Sequence, residues 1–271
     1  MGARETGARM TFVVVPQWQG SPSSRAMRLA EGAEAIRSDL PASSTREVPV
    51  PLEAGDEQGT GVARYGSLQL VRERLADTLA ELDDAAVVIG GDCGVSAAAV
   101  RHVAGDDLAL VWFDAHPDLN TPSTSPSGAF GGMVLASLIE EGAVDPSRVI
   151  LAGAREWDPG EEDFAREKGV ASLDITSLAD AEALADAVAA TGARRVYVHV
   201  DLDVLDPAEF DGLLEPIPFG LTATQLVAAV KALLARLPLA GATIASFAPE
   251  SPEKAVEDAP TILRLIAALR A

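Results

Sequence analysis

Asp114, His116 and Asp118 occupy alternate positions of the stretch VWFDAHPDLN, directly after a run of apolar residues. In an extended strand, alternate side chains point to the same side. A straight strand would hold the two carboxylates about 13 Å apart, which is too far for one metal ion to bind both. Because Pro117 disfavours a continuing strand, we expect the chain to curl here. The three side chains would then share one site, or hold two metal ions about 3.5–4 Å apart.

A second stretch, VYVHVDLDVLDP, places Asp201 and Asp203 at the end of another apolar run, before the turn signal Asp206-Pro207. Two carboxylates 4 Å apart repel each other by about 4 kcal/mol at an effective dielectric constant of 20, so the clusters favour bound cations. Carboxylate oxygens with imidazole favour manganese, and magnesium less well. The alternative is that these aspartates only cap helices and form turns.

A third stretch, VVIGGDCGVS, leads from an apolar run through Gly90 and Gly91 to Asp92 and Cys93. Paired glycines let a backbone approach another group closely. The turn is similar to a phosphate-binding turn, but it has neither the GxGxxG nor the GxxxxGK[ST] pattern. A phosphate site is therefore weakly indicated.

Apolar runs that alternate with helical segments determine the predicted fold. Most runs are continuous rather than alternating, as in strands buried on both faces. Helical spacing is found in SLQLVRERLADTLAELDD, SLADAEALADAVAATG and TATQLVAAVKALLARL. We predict one three-layer α/β/α domain over residues 1–271, with a flexible tail at 1–10 and a mostly parallel sheet of about eight strands. The strand-like runs are TFVVVPQ, TREVPVP, AAVVIGG, LALVWFDA, RVILAGA, VASLDI, RVYVHVDLD and ATIASFAP.

The formal charge of −20 argues against nucleic acid and anionic membranes as partners. It is compatible with a cationic substrate, although solubility is the simpler explanation. The single cysteine excludes an intrachain disulfide. No apolar run is long enough for a membrane span, and MGARETGARM lacks the apolar core of a secretory signal. MGARET loosely fits a myristoylation motif, but we interpret it as tail and expect a cytoplasmic protein.

The three stretches together resemble the ureohydrolase family, which includes arginase, agmatinase and formiminoglutamase. Its members carry GGDH, DAHxDxN and DxDxxDP in this order, and this chain carries GGDC, DAHPDLN and DLDVLDP. The resemblance implies an arginase-like fold and a hydroxide, activated by one or two manganese ions, that attacks a guanidinium carbon. Asp118 would be catalytic, since it matches the carboxylate that holds the hydroxide and passes its proton to the leaving nitrogen. The implied metal ligands are Cys93, Asp114, His116, Asp118, Asp201 and Asp203.

Two further stretches resemble the arginase branch and imply a small guanidino or amidine substrate. NTPSTSPSG resembles the loop that receives the substrate α-carboxylate, with Asn120 and Ser127 as contacts. GAREWDPGE resembles the stretch in which an aspartate, here Asp158, recognises the α-amino group. Turn formation is the alternative role of these residues.

Three departures from the family put arginine hydrolysis in doubt. Cys93 replaces a histidine ligand, so its position could favour zinc, stay empty, or hold a neutral thiol that binds nothing. Gly131 stands at about the place of the loop histidine that shuttles protons in arginases. Ala248 stands at about the place of the glutamate that faces the guanidinium, with Glu215 and Glu250 as nearby acids, of which Glu215 is the predicted substrate contact.

The chain has three histidines, and only His116 lies in a family motif. His102 falls in a helical segment and is expected at the surface. His199 precedes Asp201 by two positions, and is either a buried core histidine or a partial replacement for the missing ones.

Two alternatives to the amidinohydrolase remain open. One is a degenerate relative that binds metal with little turnover. The other is a different metal hydrolase such as a deacetylase, which would need a histidine pair beside the metal. Family members are often trimers or hexamers, and the sequence leaves the oligomeric state open.

Overall fold

A single eight-stranded sheet runs through the protein in the order β2-β1-β3-β8-β7-β4-β5-β6, and every paired strand is parallel. The structure is a computed structural model that describes residues 10–270. The strands are β1 (Thr11–Val15), β2 (Thr45–Glu47), β3 (Ala86–Gly90), β4 (Leu108–Phe113), β5 (Val149–Ala152), β6 (Ala171–Leu173), β7 (Arg195–Asp201) and β8 (Leu239–Ala245).

Helices cover both faces of this sheet, and each face has its own apolar cluster. Side chains of α1, α6, α7 and α8 pack on one face, and those of α2 to α5 pack on the other. This explains why the strands are continuous apolar runs, since alternate residues enter opposite clusters. The helices are α1 (Met27–Ser38), α2 (Tyr65–Ala80), α3 (Ser96–His102), α4 (Val134–Glu140), α5 (Pro159–Lys168), α6 (Ala181–Ala190), α7 (Ala223–Leu234) and α8 (Pro252–Leu269).

The predicted three-layer α/β/α fold is confirmed, and each predicted strand run contains a strand. Two ends differ. β8 begins at Leu239, before the predicted run, and β7 ends at Asp201 rather than Asp203. The Asp201 side chain accepts a hydrogen bond from the Asp203 amide at 2.8 Å, which starts a 3₁₀ turn over Leu202–Val204 and stops the strand.

The N-terminal predictions fall largely outside the described residues. The myristoylation-like MGARET lies outside the described residues, and of the predicted tail at 1–10 only Met10 is described. The single domain over residues 1–271 therefore stays a prediction. Among residues 10–270, no helix has both the length and the hydropathy needed to cross a membrane.

The sheet order brings the three motif-bearing strands to its centre. β3, β8, β7 and β4 are consecutive neighbours, and because they are parallel their carboxyl ends share one edge. Ligand sites of such sheets lie beyond this edge. Residues far apart in the chain thus converge at one place.

Candidate metal centre and substrate cavity

The end of β4 holds Asp114 in a fixed orientation. Its Oδ2 accepts a hydrogen bond from Trp112 Nε1 at 3.1 Å, and its Oδ1 accepts one from the His116 amide at 2.7 Å. The His116 ring leans to the next strand end, where Nδ1 lies 2.9 Å from Asp203 Oδ2. Asp203 Oδ1 accepts from the Ala115 amide at 2.9 Å. These contacts join the ends of β4 and β7.

Asp118 is placed by the curl that the sequence predicts. Its backbone has φ 52°, in the left-handed region where Asp is tolerated better than most residues. Its carbonyl accepts from the amides of Leu135 and Ala136 at the start of α4, which holds the curl in place. Asp118 Oδ2 is buried and has no hydrogen-bond partner. The backbone therefore directs this carboxylate into the site.

Potential ligand atoms form two groups within which all atoms lie within 4.8 Å of one another. The His116 cluster consists of Asp114, His116 and Asp203, and the Cys93 cluster consists of Cys93, Asp114, Asp118 and His199. Asp114 belongs to both, as a residue between two metal ions would. The arrangement brings together five of the six predicted ligands, and Asp201 is the sixth.

Asp201 belongs to neither cluster, although it lines the same cavity. Its Oδ2 accepts from Cys93 Sγ at 2.8 Å and from Ser246 Oγ, and its Oδ1 accepts from the Asp203 amide. These hydrogen bonds turn its carboxylate toward the thiol. Asp201 thus remains a proposed ligand on the Cys93 side.

The GGD turn is filled by protein groups rather than shaped for phosphate. A Cβ on Gly91 would lie 1.9 Å from the Gln17 carbonyl oxygen, so the close backbone approach is to another strand end. The Asp92 carboxylate occupies the turn and accepts from Gly20 N, Gly94 N and Gln17 Nε2. A phosphate in this turn would be repelled by the Asp92 carboxylate. The turn instead positions Cys93.

Burial and mutual repulsion raise the pKa values of most groups in the site. Burial, with the charge of Asp203, raises the pKa of Asp114 to about 7. Burial and neighbouring carboxylates raise the pKa values of Asp118 and Asp201 well above their ordinary range. Burial and the charge of Asp201 do the same to the pKa of the Cys93 thiol. A divalent cation would favour the anionic form of each group.

The pair of His116 and Asp203 behaves differently because the two groups hydrogen-bond each other. Burial by itself would lower the pKa of His116, but its contacts with Asp114 and Asp203 raise it far above the ordinary value. Burial would raise the pKa of Asp203, yet the His116 contact lowers it. A metal ion in the His116 cluster would take the place of the proton that this pair shares.

Two orphaned atoms test whether the site fits metal ions. Among residues 10–270, three buried side-chain atoms have no hydrogen-bond partner, and two of them, Asp118 Oδ2 and His199 Nε2, belong to residues of the Cys93 cluster. A buried polar atom without a partner is costly, and coordination would satisfy both atoms. The residues present therefore fit a metal centre.

His199 is the functional candidate whose place the sequence left open. It is fully buried, and burial lowers its pKa to about 3. The only sequence signal was its position two residues before Asp201, which places both on one face of β7.

The predicted substrate contacts Asn120, Ser127, Asp158 and Glu215 all line the cavity above the metal centre. Asn120 Nδ2 donates to Asp158 Oδ2 at 2.9 Å, so two loops are joined at this wall. Asp158 is also the N-cap of α5, in a capping box with Glu161. The turn-forming and substrate-binding roles of Asp158 are therefore compatible.

The structure also places the departures from the family. Gly131, which is predicted to stand at about the place of the loop histidine, lines the cavity. Ala248, which is predicted to stand at about the place of the glutamate, is buried outside the cavity wall. Ser246 lines the cavity beyond β8, where it has a φ of 67° and contacts Asp201. Glu250 is exposed and lies outside the cavity wall, whereas Glu215 is in it.

Comparison with known proteins agrees with this geometry. A model of the Arginase family matches residues 20–269. Arginase from Bacillus caldovelox is 32% identical over 202 residues, covering 65% of this chain and 67% of the relative. N(omega)-hydroxy-L-arginine amidinohydrolase from Streptomyces lavendulae is 32% identical over 210 residues, covering 74% of each.

Solved structures show the same fold. The native structure of the Bacillus caldovelox arginase has a TM-score of 0.85 at 23% identity, covering 97% of this chain and 98% of that one. Proclavaminate amidino hydrolase from Streptomyces clavuligerus has a TM-score of 0.77 at 23% identity, covering 97% and 92%. Since the family model spans nearly the whole chain, the protein belongs to the arginase family.

Proposed function

We propose that this protein is a manganese-dependent hydrolase that cleaves a C–N bond of a linear guanidino or amidine compound. The observation that carries the proposal is the pair of ligand clusters that share Asp114 at the carboxyl edge of the sheet. Two relatives that are each 32% identical are an arginase and an N(omega)-hydroxy-L-arginine amidinohydrolase, which supports this reaction class.

The donor atoms suggest which residues hold which metal. The His116 cluster offers carboxylate oxygens and one imidazole, which favour manganese. The Cys93 cluster adds a sulfur, which favours zinc as the alternative at that position. When bound, divalent cations act as Lewis acids and lower the pKa of water towards neutrality.

Asp118 is the residue best placed to move the proton of the reaction. Its Oδ2 has no protein partner and faces the cavity, so it accepts a proton from the attacking water and delivers it to the leaving nitrogen. The left-handed backbone and the two amides bonded to its carbonyl hold it in that orientation.

The cavity wall favours a cationic, amino-acid-like substrate. Asp158 and Glu215 supply negative charge, and Asn120 and Ser127 supply neutral hydrogen-bonding groups. Asn120 and the capping box hold the Asp158 carboxylate at the cavity wall, where its negative charge would attract an α-amino group. A substrate would then span from this wall to the metal centre, with its guanidinium or amidine carbon at Asp118.

The test is product formation from a panel of guanidino and amidine compounds after loading with Mn²⁺. The panel includes L-arginine, N-hydroxy-L-arginine and agmatine, and each reaction is repeated in EDTA. We expect metal-dependent product from the wild type and from Asp163→Asn, an exposed aspartate on α5. Asp118→Asn should lose about 100-fold or more, as expected for loss of an acid–base group.

Bound metal with no product from any compound would overturn the hydrolase proposal. It would favour a degenerate relative, and the departures at Cys93, Gly131 and Ala248 would be the reason.

A further inference from the structure

The His199 ring is held as a metal ligand would be. It stacks on Trp112, with ring centroids 3.5 Å apart and an interplanar angle of 13°. The same indole donates from Nε1 to Asp114 Oδ2 at 3.1 Å, so one side chain orients both His199 and the carboxylate shared by the two clusters. The ring therefore has little freedom to turn away from the site.

A chain of buried hydroxyls determines which ring nitrogen carries the proton. Ser96 Oγ donates to Thr243 Oγ1 at 3.0 Å, and Thr243 Oγ1 lies 2.6 Å from the Tyr197 hydroxyl. Since a serine hydroxyl has one hydrogen, Ser96 Oγ accepts from His199 Nδ1, which lies 2.9 Å away. The proton is thus on Nδ1, and the lone pair is on Nε2.

The lone pair on Nε2 has no protein donor to accept from. A ring nitrogen of His199 lies within 4.8 Å of ligand atoms of Cys93, Asp114 and Asp118. Because Nδ1 is engaged by Ser96, Nε2 is the nitrogen available to this group. A histidine that donates from one nitrogen and presents the other to a cluster of anionic ligands is the usual arrangement of a metal-bound imidazole.

We propose that His199 binds the metal ion of the Cys93 cluster through Nε2. Cys93 follows β3 at the position where the family has a histidine ligand, and His199 on β7 would supply an imidazole in its place. The inference rests on the proposed metal centre, but not on turnover. The resulting donor set of one sulfur, one imidazole nitrogen and carboxylate oxygens would suit zinc, and distinguishes this position from the oxygen-rich His116 cluster.

The hydroxyl chain then has a function beyond packing. Ser96 fixes the tautomer of His199, and removal of such a supporting partner typically weakens metal affinity about 10–100-fold. Ser96→Ala should therefore weaken the Cys93 cluster without removing a ligand.

Cobalt provides a readout that is independent of catalysis. Untagged protein is loaded with Co²⁺, passed over a desalting column, and examined for metal content and for the sulfur-to-cobalt charge-transfer band. We expect the wild type to bind cobalt with this band. His199→Ala should lose the band and about 100-fold or more in affinity at that position. The matched control is His102→Ala, because His102 is exposed at the end of α3.

Equal cobalt content and an equal band in His199→Ala and His102→Ala would overturn the proposal. If His199→Ala does not fold, nitrogen-15 NMR of the wild type decides. The chain has three histidines. Zn²⁺ should shift the ring nitrogens of His116 and His199 and leave those of His102 unchanged, whereas a response from His116 only would refute the inference. These readouts stay valid if the protein hydrolyses none of the panel compounds.

Discussion

Asp118→Asn should stabilise the metal-free protein and weaken its response to metal. The change keeps the shape of the side chain and removes one negative charge. Asp118 Oδ2 has no hydrogen-bond partner to lose, and Asn tolerates the left-handed backbone at φ 52° at least as well as Asp. The main effect is therefore relief of repulsion.

The magnitude follows from the site geometry. Ligand atoms of Asp114 and Asp118 lie within 4.8 Å, where two unit charges repel by about 3.5 kcal/mol at an effective dielectric constant of 20. The folded protein can avoid this repulsion by protonating the carboxyl. Protonating a carboxyl with an ordinary pKa near 3.9 at pH 7 costs about 4 kcal/mol, which is the upper limit of the destabilisation. We expect a gain of about 3 kcal/mol at pH 7, or about 6–10 °C in Tm.

The gain should depend on pH with a defined sign. Because the folded-state pKa of Asp118 is raised, the folded wild type binds more protons than the unfolded chain above pH 4, and its stability falls as pH rises. The variant lacks this group. Its advantage should therefore be near zero at pH 4, grow by about 1.4 kcal/mol per pH unit, and level off once the folded carboxyl is ionised.

Urea unfolding in EDTA at pH 4 and pH 7 measures this difference, with Asp163→Asn as the exposed control. Added Mn²⁺ should reverse the order, because the variant lacks one ligand of the Cys93 cluster and gains less binding free energy than the wild type. The predicted repulsion is contradicted if Asp118→Asn is no more stable than the wild type at pH 7, or if its advantage is the same at both pH values.

Three further outcomes are expected. Asp201→Ala should weaken Mn²⁺ binding far more than it lowers Tm in EDTA, and equal Tm losses with and without metal would point to a turn-forming role instead. Cys93→His should raise the manganese content towards two per chain after dialysis, because a neutral ligand replaces an anionic one; two tightly held manganese ions in the wild type would contradict this. Asp158→Asn should raise KM about tenfold for L-arginine and agmatine, which both carry the amino group, and change KM little for 4-guanidinobutanoate, which lacks it; its α5 cap is retained by the Asn side chain, so an unchanged Tm is the control.

Local pattern was enough to predict the fold class. Continuous apolar runs separated by helical segments require strands buried on both faces, and each such run contains a strand. Spacing at the strand ends also predicted most residues of the two candidate ligand clusters. Asp114, His116 and Asp118 are close in the chain, so their convergence needs only a local curl. Pro117 favours this curl because proline disfavours a continuing strand.

What only the tertiary structure decided is which strand ends meet. Cys93 contacts Asp201 across 108 residues of chain because β3, β8 and β7 are neighbours in the sheet, and the sheet order is set by packing that no local pattern records. The same order places Ser96 and Thr243 beside His199 and leaves its Nε2 free for the site. The sequence by itself determined the ligands that lie within one motif. The partners that orient them come from other strands, and were visible only once the chain had folded.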